Sequence, residues 1–446
     1  MYDAIVLGRG PLGVYTSSKL IKKNIKILNI DSGNNLKDLR DNKKVNTNIN
    51  WKSEHSAPSL DKNASEVMWN GGCMSIPVNE LGTGKLKLPL KKKDYLNSIK
   101  RVKNYLKIDD FDFLENRPYI YENWQNLKGI KDDLRYTYIL NDWSFQNEIK
   151  ELEKNENYTF IDKLKVFKIL PGETIQIECQ NSDGEKITFS CKKIYICLGA
   201  IENTRLLLNN QNVLNLKDKN VGLNLSDHLR IPIGEIELAN LGKFKNIFDK
   251  NENKLNDNYL LPRLVVEGNE IQSHGYFKFW RYNNLILRKF KLSNLKSRFK
   301  FSGKCTLFLF IEKPVNKKTK IRITKDNLIP EMHVDVILED NEINQIKHLA
   351  MSYFEHLSHN YGNIIKKIEP FQINNTNNFL KKVYTANHPS GTTPMGDESK
   401  DSVVNAYSQI WGFENIYVFG SSVLPRAYYI HPTFPSMVLA DISLNI

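Results

Sequence analysis

Ala4-Ile5-Val6-Leu7 runs straight into Gly8-Arg9-Gly10-Pro11-Leu12-Gly13. Four consecutive apolar residues are the pattern of a strand covered on both faces, as in a parallel sheet. The GxGxxG opens a helical stretch with Val14, Leu20 and Ile21 as its apolar points. Ile25-Lys26-Ile27-Leu28-Asn29-Ile30 then reads as a second strand, with Asp31 and Ser32 at its end. Strand, glycine turn, helix, strand and acid fall within one βαβ length. Each part has a physical task. Gly8 allows the tight turn, Gly10 lets a pyrophosphate come against the backbone, and Gly13 lets the helix pack on the strand. The helix start offers free N–H groups and partial positive charge to the phosphates. Pro11, which has no N–H, costs nothing there. Asp31 can accept hydrogen bonds from ribose hydroxyls. The stretch predicts a dinucleotide site over Gly8, Gly10, Pro11, Leu12, Gly13, Asp31 and Ser32, and does not separate FAD from NAD.

The rest of the 446-residue chain narrows the class. It is 41% hydrophobic, enough for a sizeable core, and its length allows about two to four domains. The net charge of +13 raises solubility and draws anions but does not bear on fold. Five cysteines without a CxxC suggest neither a disulfide framework nor a zinc ribbon, so no metal is expected. Cys179, Cys191 and Cys197 read as buried small hydrophobes. No apolar run approaches the roughly 20 residues that span a bilayer. The chain opens on Met1-Tyr2-Asp3-Ala4 with no basic region or cleavage site, which makes cytoplasm the expectation.

The last sixty residues hold a second constellation. Asn387-His388-Pro389-Ser390-Gly391-Thr392-Thr393-Pro394-Met395-Gly396 is a polar loop with one histidine. Val403-Val404 leads to Asn415-Ile416-Tyr417-Val418-Phe419-Gly420-Ser421-Ser422, then Leu424-Pro425, then Ile430-His431-Pro432-Thr433 and a helix. This order resembles the glucose–methanol–choline (GMC) flavoprotein oxidoreductases, nearest their sugar-oxidising, pyranose oxidase-like branch. Three upstream segments are similar as well: Trp69-Asn70-Gly71-Gly72-Cys73-Met74-Ser75, Cys197-Leu198-Gly199-Ala200-Ile201-Glu202-Asn203-Thr204-Arg205, and Val221-Gly222-Leu223-Asn224-Leu225-Ser226-Asp227-His228.

The resemblance implies an α/β fold. A Rossmann-like FAD-binding domain (1–90, 155–235 and 385–446) would interleave with an α+β substrate domain (91–154 and 236–384) built on an antiparallel sheet. It implies FAD, contacted by the opening glycines and by Gly71, Gly72, Met74, Ser75, Val166, Gly199, Ala200, Glu202, Gly420, Ser421, Pro432 and Thr433. Some relatives tether FAD to a histidine after the paired glycines. Here Cys73-Met74-Ser75-Ile76-Pro77 carries no imidazole, so non-covalent FAD is expected. The implied reaction oxidises a CH–OH group of a sugar- or polyol-like substrate, small or carrier-linked. His388 stands at the catalytic base position and His431 at its partner position. An imidazole suits this work because its ordinary pKa, about 6.5, lies near working pH. The electron acceptor is not indicated. His228 reads instead as part of a packing and turn element. Two other readings are a lyase of the same fold, using the same histidine without net redox, and a flavin-binding scaffold without catalysis.

Between these segments, residues 88–106 read as a turn and an amphipathic helix. Residues 158–161, 165–169, 175–178 and 192–196 read as strands, with a hairpin turn at Asp183-Gly184. Strands over 306–311 and 333–338 are expected to join one antiparallel sheet roofing the flavin. Residues 281–304 carry eight basic and no acidic side chains, among them Arg281, Arg288, Lys296 and Arg298. Leu285, Leu292, Leu295 and Phe299 recur there at helical spacing. A basic amphipathic helix can meet an anionic membrane or a lipid- or nucleotide-linked sugar, and is more ordinarily a solvated face. No stacking motif supports nucleic-acid binding.

Overall fold

The computed structural model describes residues 1–33, 43–51, 69, 71–84, 86–128, 132–141, 143–266, 271–281, 301–316, 318–324, 327–371 and 376–445. The opening strand, Tyr2–Leu7, lies at the centre of a seven-stranded sheet. It pairs in parallel with Ile27–Ile30 on one side and Lys186–Ile196 on the other. Tyr158–Ile161 and Ile416–Val418 extend the parallel part. The hairpin Ile175–Gln180 and then Lys165–Leu170 add antiparallel strands beyond Lys186–Ile196. Ile5, Val6 and Leu7 are fully buried, as an unbroken apolar run requires. Each such side chain contributes about 1.5–3 kcal/mol relative to exposure.

A nine-stranded antiparallel sheet stands apart from the first. Its main path runs Ile365–Pro370, His228–Leu238, Phe301–Glu312, Ser273–Arg281, Asn258–Leu264, Leu134–Ile139 and Gly72–Cys73. Tyr384–Thr385 adds to His228–Leu238 and Lys254–Leu255 to Asn258–Leu264. The expected strand at 306–311 belongs here. The expected strand at 333–338 does not. It forms as Met332–Val336 in a separate three-stranded sheet, between Lys320–Ile323 and Lys43–Thr47. Alternation reveals which faces of a strand are covered and says nothing of its neighbour, and Lys43–Thr47 supplied a partner that the sequence did not advertise. Residues 282–300, the centre of the expected basic helix, lie outside the described residues. Arg281 and residues 301–304, at its two ends, are strand.

Three helices gather on one carboxylate. Asp441 is fully buried on the closing helix Thr433–Leu444. Tyr15 Oη donates to its Oδ1 at 2.7 Å and Lys19 Nζ lies 3.3 Å from the same oxygen, both from the glycine-turn helix Pro11–Ile21. Ser98 Oγ at 3.0 Å and Arg101 Nε at 2.6 Å donate to Oδ2 from the helix Lys92–Leu106. The helix that begins at the glycine turn is thereby held to the helix that begins just after His431. Among the described residues no helix is long and apolar enough to cross a membrane.

Replacing Asp441 by Ala leaves the buried Tyr15 hydroxyl without its acceptor and the partly exposed Lys19 and Arg101 without their carboxylate. It is expected to cost about 1–3 kcal/mol, read as a lower denaturant midpoint in equilibrium unfolding. A loss below about 1 kcal/mol, the range of an exposed ion pair, would show that the three helices do not depend on it.

Candidate active site

The glycine turn can take an anion. Gly8 has φ +95°, and a Cβ there would lie 2.5 Å from the Cys197 carbonyl oxygen. A Cβ on Gly13 would lie 2.0 Å from the Gly8 carbonyl oxygen. The helix begins at Gly10 with Pro11 in its first turn, no side-chain cap and no acidic residue. Its N-terminal N–H groups therefore have no protein side chain competing for them. Leu12 is partly buried in the same turn. Asp31 accepts from the Arg9 N–H at 2.7 Å and the Gly33 N–H at 2.8 Å. That leaves its carboxylate fixed beside the turn, with lone pairs for further donors. Ser32 is partly buried next to it. Leu164 N–H donates to the Asp31 carbonyl at 3.1 Å, which brings the chain leading to Val166 past the same point. These features fit a dinucleotide such as FAD.

The other expected contact residues fall into two groups. Gly199 caps the helix Ala200–Asn209, and the Ala200 carbonyl accepts from Thr204 and Thr392. Asn203 ties this turn to the last strand, donating to Phe419 O and Ser422 Oγ at 3.0 Å each. That holds Gly420 and Ser421 beside Gly199. Pro432 and Thr433 open the closing helix, again without a side-chain cap or a first-turn acid. Three side chains are already committed. Glu202 pairs with Arg205 at 2.6 Å, both buried. Ser75 donates to the Phe113 carbonyl while its N–H meets Asn116 Oδ1. Met74 Sδ accepts from Thr137 Oγ1 at 3.1 Å. Gly71 turns with φ +68° against Leu140. Gly72 passes the His431 ring, whose Cγ would be 3.4 Å from a Cβ there, so the backbone runs in contact distance of the imidazole.

His388 and His431, distant in sequence, come together with ring centroids 5.2 Å apart. The decisive neighbour is His228. Its Nε2 faces the carbonyls of Ala427 at 3.1 Å and Tyr428 at 2.8 Å, which can only accept. Nε2 therefore carries the proton. Burial, foremost, lowers the His228 pKa to about 3, so the ring is neutral and Nδ1 is a lone pair. His388 Nδ1 lies 3.0 Å from that lone pair and must donate to it. The His388 proton is thus held on Nδ1, and Nε2 is left as a base. Asp227 Oδ1 accepts both backbone N–H groups, from His228 at 2.6 Å and His388 at 2.8 Å, and so fixes the spacing of the two rings. Burial raises the Asp227 pKa to about 7.

His431 is set the opposite way. Arg263 Nη2 donates to His431 Nε2 at 3.2 Å, so the proton of the neutral ring sits on Nδ1. Arg263 is 4% exposed, and its Nε donates to Thr137 Oγ1 at 2.9 Å. Burial lowers its pKa to about 9, leaving it charged at neutral pH. Phe310 is the floor of the cluster. His228 and His274 stack on it at 4.6 and 4.7 Å, and Arg230 and Arg263 each lie 5.9 Å from its centroid. Burial first, and the surrounding imidazoles and guanidinium groups next, hold His388, His431 and His274 well below the ordinary imidazole range. Among the described residues no group of three His, Cys, Asp or Glu side chains is placed to hold a metal ion.

Sequence reading named His388 and His431 and missed what orients them. His228 lay in a segment read as packing, and its imidazole in fact meets His388. Arg263, His274 and Phe310 sit in strands without a motif. Their only sequence signal was the presence of charge and imidazole in apolar runs.

Residues 320–440 match the family described as GMC oxidoreductase. A stretch of 55 residues is 40% identical to the gluconate 2-dehydrogenase flavoprotein of Pantoea cypripedii; it is 12% of this chain and 9% of that protein. The whole chain superposes on a pyridoxine 4-oxidase from Mesorbium loti with a TM-score of 0.62 and 12% identity, covering 100% of this chain and 99% of that one. A formate oxidase of Aspergillus oryzae RIB40 is similar over 100% and 97%, with a TM-score of 0.58 and 11% identity. At such identities the two structures testify to fold. The C-terminal match adds similarity to the GMC oxidoreductase family over residues 320–440.

Replacing His228 by Leu removes the acceptor that holds the His388 proton on Nδ1. The variant is expected to keep its flavin and to lose about 10- to 100-fold in the rate of flavin reduction, the scale seen when outer partners of a working imidazole are removed at metal sites. His228→Asn, which can both accept from His388 and donate to the carbonyls, should recover part of it. Equal rates in wild type and His228→Leu would remove this role.

Proposed function

We propose that the chain is an FAD-dependent oxidoreductase that oxidises a CH–OH group of a sugar- or polyol-like substrate. The observation that carries this reading is the fixed, opposite tautomers of His388 and His431. FAD, when bound, supplies the acceptor for the hydride. The protein's part is to handle the hydroxyl. His388 Nε2 has a free lone pair and takes the hydroxyl proton. His431 Nδ1–H donates a hydrogen bond to the same oxygen as it gains negative charge. Arg263 adds a positive field that favours the anionic oxygen, strengthened by its burial, and the exposed Arg230 adds to it from outside.

Several features support FAD as the cofactor. The uncapped helix starts at Gly10 and Pro432 and the anchored Asp31 would hold its charged and polar parts. Pro432 follows His431 directly, so the closing helix brings its N-terminus and the imidazole to one place. The segment after Gly71-Gly72 lacks an imidazole, which supports non-covalent binding. The 55-residue stretch shared with a gluconate 2-dehydrogenase flavoprotein supports a polyhydroxylated substrate.

Anaerobic mixing with a panel of sugars and polyols should bleach the flavin, and His388→Ala should slow bleaching about a hundredfold or more at unchanged flavin content. Bond cleavage without bleaching would replace this reading by a lyase. The pH dependence has a definite sign. Because burial and neighbouring cations disfavour protonated His388, the base stays neutral as pH falls through 6.5. The reduction rate should therefore remain level across that value and fall only at clearly lower pH. An acid limb centred at or above about 6.5, the ordinary imidazole pKa, would contradict it.

A further inference from the structure

Among the described residues, Arg263 is a buried cation with no carboxylate beside it. Its guanidinium has two hydrogen-bonded neighbours, the Thr137 hydroxyl and the neutral His431 ring, and neither carries negative charge. The titratable groups that act on it are the Tyr276 phenol, which burial keeps protonated, and Arg230, and no carboxylate among the described residues pairs with it. Isolating a cation in this way costs several kcal/mol. Arg230, opposite Phe310 in strand register, adds a second positive charge to the same sheet face. His274, opposite Phe310 on its other side, is fully buried with neither ring nitrogen in a well-formed hydrogen bond, although the Tyr429 backbone approaches it. Among the described residues the acid beside the imidazoles is Asp227; its Oδ1 takes the backbone N–H groups of His228 and His388, and its charge acts on Arg230 and not on Arg263.

With a neutral alcohol this charge finds an anion only as the hydroxyl proton leaves, whereas an anionic substrate would answer it from the moment of binding. Other buried charges of the same protein are compensated. Asp441 has Lys19 and Arg101, Lys313 has Glu342, and Glu202 has Arg205. Arg263, by contrast, lies on the face where His388 and His431 meet and has no such partner among the described residues.

From this we infer that the substrate is an anion: a hydroxy acid whose carboxylate lies on Arg263, with Arg230 as the outer charge that draws it in. The inference rests on the oxidoreductase reading and names the substrate class of the same site. A guanidinium presents a planar fork, and a carboxylate matches it in shape and charge. Arg263 stands one imidazole away from the presumed reacting oxygen, through His431, so carboxylate and oxidised carbon are separated by few bonds. Aldonic acids, uronic acids and short 2-hydroxy acids have this arrangement.

Binding can be read without turnover. Flavin-loaded protein is titrated calorimetrically under anaerobic conditions with D-gluconate, D-glucuronate and L-lactate. Each is set against its neutral counterpart: D-sorbitol, D-glucose and 1,2-propanediol. At least one acid is expected to bind about 10- to 100-fold more tightly than its counterpart, the range of a hydrogen bond to a charged partner. Arg263→Met should erase that preference, read as the ratio of acid to neutral affinity falling to about one whatever happens to the neutral counterpart itself. Should Arg263→Met fail to fold, Arg263→Lys keeps the charge without the fork and should weaken the acid about tenfold at unchanged flavin content. The inference is overturned if no acid outbinds its counterpart, or if Arg263→Met weakens acid and neutral ligand alike. Tighter binding of D-glucose 6-phosphate than of all three acids would overturn the carboxylate. Failure of the redox reading shows separately, as a flavin that no alcohol bleaches.

Discussion

Asp441 is the constraint on which the arrangement depends. A fully buried carboxylate is unfavourable unless it is paired and hydrogen-bonded, and here it gathers its partners from two other helices. The glycine-turn helix cannot shift relative to the closing helix without exposing that charge. The first of these helices presents its N-terminus where a pyrophosphate would lie. The second begins one residue after His431. Fixing the two together sets the distance between the glycine turn and the paired imidazoles of His388 and His431.

The acid–base pair is built by a different rule. Neutral imidazoles are ambiguous because either nitrogen can hold the proton. Two backbone carbonyls remove the ambiguity at His228, and His228 passes that choice on to His388. Arg263 makes the opposite choice at His431. One ring is left ready to accept a proton and the other to donate a hydrogen bond. The arginines and burial act together on all of these rings, keeping them neutral where an exposed histidine would be half charged. The field that prepares the base is the same one that would welcome an anion.

Legibility followed the range of the interactions. The opening strand, glycine turn, helix and second strand were readable because each residue acts on its neighbours. Cysteines 179, 191 and 197 are buried, as their apolar surroundings implied. The hairpin at Asp183-Gly184 formed between Ile175–Gln180 and Lys186–Ile196. The strand near 333 was foreseen as a strand and placed in the wrong sheet, because its partner Lys43–Thr47 lies nearly three hundred residues away and carries no pattern of its own. His228 was read as packing for a related reason. It does pack, stacked on Phe310, and the consequence for His388 appears once the two chain segments lie side by side.

The amino-acid sequence by itself determined the βαβ opening, the uncapped glycine turn, the alternation of the later strands and the two histidines worth watching. These depend on residues a few positions apart, where covalent geometry and periodicity act directly. Tertiary structure alone decided which nitrogen of each histidine holds its proton and which cation lies against it. It also decided that no carboxylate among the described residues answers Arg263. Tautomer, burial and missing charge are properties of a surrounding volume, and residues 137, 228, 263, 310, 388 and 431 share such a volume only after the chain has folded.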